Sequence, residues 1–77
     1  MARFTIWGRV EQVERDCFMV VASAMSTNPD GPGTSTVVLS ERASGADEAR
    51  NALDRLVARL DARVKASGGI VSSIDLQ

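Results

Sequence analysis

The sequence predicts a small α+β domain of order β-β-β-α-β, a mostly antiparallel sheet with one long helix on one face. Three observations carry this. Three early segments read as strands, the first and third by partial period-two alternation and the second as a short run apolar on both sides, separated by polar or Pro/Gly-rich stretches. A single long segment then repeats its apolar residues every three or four positions, with a start signal and a stop signal. The last segment, "IVSSIDLQ", returns to period two.

Residues 3–15 open the pattern. Phe4, Ile6 and Val10 fall on one side, with Thr5, Trp7, Arg9 and Glu11 on the other. Gly8 interrupts the alternation and marks either a bulge or a close approach by another element. The stretch "EQVERD" is expected to end the strand and turn the chain. "CFMVVASAMS" is apolar on both sides: Phe18, Val20, Ala22 and Ala24 against Met19, Val21 and Met25. Such a run reads as a buried central strand, with a helix of about ten residues as the alternative. "TNPDGPGTS" is a loop, since Pro-Asp-Gly is a turn signal. "STVVLSER" is the third strand, with Val37 and Leu39 on one side and Val38 on the other; it is expected to pair with the second as a hairpin.

The helix follows. Ser44 is the expected N-cap, with Asp47 three residues on as a capping-box variant. Asp47 and Glu48 suit the positive end of the helix dipole. Ala49, Leu53, Leu56, Val57, Leu60 and Val64 form one apolar stripe. Asp61 and Lys65 are spaced to pair, and Gly68-Gly69 closes the helix. In the fourth strand Ile70, Ser72, Ile74 and Leu76 are expected on one side, with Val71, Ser73 and Asp75 opposite.

Length and composition set bounds. The chain has 77 residues, read as a single domain over 1–77. A chain this size buries only about 60% of the surface its unfolded form exposes, so its stability is marginal without further support. Cys17 is the only cysteine, so the chain has no internal disulfide, and there is no histidine. The remaining supports are a compact core and association between chains. A single helix leaves one sheet face uncovered; the apolar residues assigned to that face are Trp7, Met19, Val21, Met25, Val38 and Val71, with the opposite-facing set as the alternative, because the sequence does not say which face the helix covers. They form the expected interface of a homo-oligomer, with a two-fold dimer as the default. Net charge is −1, which provides no overall attraction to nucleic acid or to anionic membrane. No targeting or membrane-spanning segment is read, and a lone thiol suits the cytoplasm.

The search for chemistry returns structural explanations. Without histidine there is no Ser-His-Asp triad and no imidazole metal ligand. Cys17 precedes an apolar strand and reads as a buried thiol. Glu11, Glu14 and Asp16 read as a solvated acidic turn rather than as acid–base or metal-binding carboxylates. "DGPG", residues 30–33, fits neither a P-loop nor GxGxxG. Arg55, Arg59 and Arg63 recur every four residues as a basic ridge on the helix. That ridge could touch phosphate, but Asp54 and Asp61 interleave with it and aromatic residues make up only 4% of the chain. No catalytic residue, metal ligand or cofactor site is assigned.

The stretch "ASGADEARNALDRLVARL", residues 43–60, resembles the N-terminal domain of HicB-type antitoxins, with Gly45, Glu48, Ala49 and Leu53 matching the layout of that helix start. The first turn differs in lacking glycine, and "NPDGPG" lies earlier than the family's proline-glycine stretch. The resemblance implies a stand-alone partner-binding domain, without a DNA-binding segment after Gln77. Its implied partner is a small, basic, RNA-cleaving toxin. The expected function is therefore a non-enzymatic protein-interaction domain. The alternative is an oligomeric small-molecule-binding or enzyme-accessory module with a site at the subunit interface.

Overall fold

The computed structural model describes residues 3–26 and 36–76 and has the expected α+β order. The elements are β1 (Arg3–Glu14), β2 (Cys17–Ser26), β3 (Thr36–Ala43), α1 (Ala46–Ala66) and β4 (Ile70–Leu76). The sheet order is β3-β2-β1-β4. β2 runs antiparallel to both β1 and β3, while β4 runs parallel to β1. The turn motif at residues 30–33 lies outside the described residues.

The strand order explains the long helix. β3 and β4 occupy opposite edges, so the connection between them has to pass over β2 and β1. Twenty-one helical residues span about 30 Å, enough for that crossing. The helix buries Ala49, Ala52, Leu53, Leu56, Leu60 and Val64, while Val57 packs at the margin of the core. Ala52 belongs to the buried stripe although the spacing read from the sequence omitted it. From the sheet come Ile6, Val20, Ala22, Ala24 and Ala43. Each large aliphatic side chain fully buried here contributes about 1.5–3 kcal/mol.

Small residues set how close the two layers lie. Gly8 and Ala22 are register partners on the helix side of the sheet. A Cβ built on Gly8 would sit 2.6 Å from Leu53 Cδ1. Of the two explanations for Gly8, close approach is the one the structure adopts. Pairing with β2 is continuous through Gly8, and the register shifts only between Gln12 and Glu14.

Both ends of the helix are built by glycine. At the start, Gly45 and not Ser44 is the N-cap, at φ +150° and ψ 156°. That backbone region is essentially restricted to glycine. The helix therefore starts one residue later than expected, and Glu48 takes the third helical position in place of Asp47. Its Oε2 accepts from the Ser44 N–H at 3.1 Å and from the Ser44 hydroxyl at 2.8 Å. At the far end Gly68 has φ +84°. Its N–H donates to the Lys65 carbonyl at 3.1 Å, and the Gly69 N–H donates to the Val64 carbonyl at 2.9 Å. That pair of bonds is a Schellman stop.

Two strand boundaries differ from the sequence reading. β1 continues through Glu14, so only Arg15 and Asp16 turn the chain. Ladder hydrogen bonds to β2 hold this polar end as strand, and Val13 is the extra residue at the shift. In β4 the register shifts between Phe4 and Thr5, with Phe4 opposite Val71 and Thr5 opposite Ser73. Ser72 is the extra residue, and its hydroxyl donates to the Phe4 carbonyl at 3.1 Å. The shift turns Val71 to the helix side, where it packs against the core with Phe4. The strict alternation expected over residues 70–76 therefore fails at its second residue.

Candidate functional site

The face of the sheet opposite α1 carries the candidate site. Its composition follows from the registers. One row across the sheet runs Val38, Ser23, Trp7, Asp75. The next runs Ser40, Val21, Arg9, and the one after it Arg42, Met19, Glu11. On the other side of the first row, Met25 lies between β1 and β3, beside Thr5 and Ser73. Five of the six residues assigned to the interface from sequence, Trp7, Met19, Val21, Met25 and Val38, are thus brought together on this face. Val71 is the exception, because the bulge at Ser72 sends it to the core side.

The apolar centre is only partly covered. Val38 is 60% exposed and Met25 40%, whereas Trp7, Met19 and Val21 are half-buried by their neighbours. Ser23 lies in the middle at 1% exposure. No helix covers this face, so Ser23 is closed over by the side chains around it. Among the described residues, its Oγ is the buried side-chain polar atom without a hydrogen-bond partner.

Polar groups surround that centre. Arg9 and Glu11 are 3.8 Å apart and exposed. Arg42 and Asp75 are exposed on the same face, and the Ser73 hydroxyl lies 3.3 Å from the Thr5 hydroxyl. Apolar centre and polar rim are the ordinary anatomy of a protein interface. The rim carries both signs of charge.

The other sequence candidates are dispersed. Arg55, Arg59 and Arg63 are all exposed on α1, but Arg55 reaches Glu41 of β3 at 2.8 Å and is held there. Arg63 instead borders a cavity of about 210 Å³ between the helix end and the sheet, lined by Phe4, Ala24, Val37, Leu60 and Val64. The ridge is therefore divided between two surroundings. Glu14 and Asp16 are exposed near the β1–β2 turn, and Cys17 beside them is half-buried. Among the described residues, no three His, Cys, Asp or Glu side chains converge as a metal site. No described helix is long and apolar enough to cross a membrane.

Among the described residues, Glu48 is the titratable group whose carboxyl is shifted. The Ser44 hydroxyl, and then the Ser44 N–H, hold it below the ordinary value of 4.5. This is a helix-capping effect on an exposed side chain, remote from the open face. The sequence missed the second feature of interest, a groove of about 560 Å³ between α1 and β4, lined by Asp61, Lys65 and residues 69–74. The only sequence signal for it was the paired spacing of Asp61 and Lys65.

Comparison with known proteins adds no relative: no family model matches the chain, and no curated protein or solved structure matches it significantly.

Proposed function

We propose that this chain is a non-catalytic protein-interaction domain that associates with a second copy of itself through the open sheet face. The observation that carries the reading is the apolar centre formed by Trp7, Met19, Val21, Met25 and Val38 from three strands. Size supports it. A four-stranded face is about 19 Å wide, and a ten-residue strand is about 33 Å long. The footprint is then about 600 Å² before side-chain relief, close to the roughly 800 Å² per partner of a specific interface.

Charge supports a second copy over a strongly acidic or basic partner. Arg9 and Arg42 share the rim with Glu11 and Asp75. A two-fold axis can set each sign against the other, whereas a single-sign partner would meet repulsion on half of the rim.

Trp7 provides the test, because it is the only tryptophan and the chain has no tyrosine. Its emission is expected to shift to the blue as protein concentration rises, in step with a doubling of mass by light scattering. Val38→Asp should abolish the emission shift and halve the mass reached at high concentration, while the far-UV spectrum stays the same. Emission that stays constant across a concentration range where the mass doubles would place the interface elsewhere.

The HicB-like role, binding a small RNA-cleaving toxin, is the second reading. Element order supports it. The residues that carry the resemblance are otherwise occupied, since Gly45 and Glu48 form the helix start and Ala49 and Leu53 are core. They account for how the helix begins and specify no partner. Binding of such a toxin at one-to-one stoichiometry, blocked by Val38→Asp, would favour this reading.

A further inference from the structure

β4 is the outer strand beside β1, and among the described residues nothing pairs with its far side. Edge strands are usually blunted by lysine, proline or charge. β3, at the other edge, carries Glu41 and Arg42. β4, "IVSSIDL", carries a single charge, Asp75, which lies on the open face. It also exposes three large apolar side chains: Ile70 at 45%, Ile74 at 50% and Leu76 at 42%. Ile74 and Leu76 pair with Ile6 and Gly8 and so belong to the helix side, yet the helix leaves them uncovered. Beside them runs the 560 Å³ groove, with Ile70, Val71 and Ile74 in its wall and Asp61 and Lys65 on its helix rim. The two rim residues are bonded at 2.9 Å.

We propose that β4 pairs antiparallel with β4 of a second copy, about a two-fold axis normal to the sheet, to make one continuous eight-stranded sheet. Three observations select a second copy as the occupant. The unpaired edge offers backbone donors and acceptors along seven residues, and an identical antiparallel strand satisfies both sets at once. A two-fold normal to the sheet keeps like faces together, so Val71 and Ile74 of each copy meet on the helix side and fill both grooves. The helix rim carries one charge of each sign one turn apart, so the same axis directs Lys65 of one copy to the partner's Asp61, and the reverse. Because Asp61 and Lys65 already neutralise each other at 2.9 Å, a one-signed peptide segment would meet repulsion from one member of the pair, whereas a second copy brings the same neutral pair. This interface is separate from the open face. Together the two would close a tetramer of two eight-stranded sheets packed face to face.

The test is mass by sedimentation or light scattering on the full chain, at matched concentration, for wild type, Ile74→Lys, Val38→Asp and the double variant. The expected wild-type mass is four times 8.2 kDa. Each single variant should halve it, with the broken contact weakened about tenfold or more, and the double variant should be monomeric. A wild-type dimer that Val38→Asp splits and Ile74→Lys leaves intact overturns edge pairing and keeps the open-face interface. A dimer with the opposite response keeps edge pairing and removes the open face. A monomer overturns both. Should Ile74→Lys not fold, Lys65→Asp on the exposed helix surface takes its place. It should weaken the contact, and the exchange Asp61→Lys with Lys65→Asp should restore it. Failure of the exchange to restore mass counts against this pairing.

Discussion

Gly8→Ala tests whether the close approach of helix and sheet depends on the absence of a single methyl. The added Cβ would lie 2.6 Å from Leu53 Cδ1, 3.3 Å from the Val21 carbonyl oxygen and 3.4 Å from Leu76 Cδ2. Ordinary contact begins near 3.4 Å, so Leu53 has to retreat by about 0.8 Å. Leu53 is only 2% exposed, and a side chain so buried has little room to move. Overpacking of this kind costs about 1–3 kcal/mol. Removing a strand glycine returns about 0.5–1 kcal/mol. The midpoints of the two ranges leave a net loss of about 1 kcal/mol, which lowers Tm by several degrees at about 4–8 °C per kcal/mol. Thermal and urea unfolding followed by far-UV circular dichroism will measure it, at one fixed protein concentration because association also moves Tm. A double-mutant cycle with Leu53→Ala isolates the contact. Leu53→Ala alone should cost about 2–5 kcal/mol. In the Gly8→Ala background the new methyl occupies part of the vacated space, so the two costs should fall short of additivity by about 0.5 kcal/mol or more. A Gly8→Ala protein as stable as wild type, or a strictly additive cycle, would refute the close-approach reasoning.

Two further predictions concern polar groups. Ser23→Ala removes the hydroxyl that is buried without a partner. An orphan of this kind costs about 1–3 kcal/mol, so the variant should be at least as stable as wild type in urea, and a clear loss of stability would mean that Ser23 Oγ is bonded after all. Glu48 titrates below its ordinary 4.5 in the folded chain, first because of the Ser44 hydroxyl and then because of the Ser44 N–H. Its folded value is depressed, so its contribution is fully present above pH 4.5 and is lost as pH falls through the folded value. Glu48→Gln should therefore be less stable than wild type near pH 7, with the gap in Tm closing as the pH drops below 4.5; a gap that stays constant down to pH 3 contradicts this.

The strands and the helix stripe were legible because each rests on neighbours within a few residues. Leu53, Leu56, Leu60 and Val64 fall on one side of a 3.6-residue period in any surroundings. The Asp61–Lys65 pair and the Gly68-Gly69 stop are equally local, and both form as expected. The start of the helix was misread by one residue. Ser44 and Gly45 are both acceptable N-caps by type. The chain's exit from β3 decides which of them takes the positive φ.

The candidate site was legible as far as strand periodicity extends. Five of its residues keep the side assigned by alternation, since β1 pairs regularly over residues 4–12 and β2 over residues 18–26. Val71 does not, because a bulge belongs to a pair of strands and leaves no mark in one of them. The Arg55–Glu41 bond, 14 residues apart, was likewise invisible.

By itself the sequence determined the kinds of element, their order, and which residues could be apolar neighbours along one strand or one helix. Tertiary structure alone decided that β4 joins β1 at the edge, that Gly8 admits Leu53, and that Val71 turns inward while Ile74 and Leu76 stay uncovered. The first set depends on backbone periods repeated every two to four residues. The second depends on contacts between segments some 45 to 70 residues apart, whose register and spacing are settled only when the layers pack.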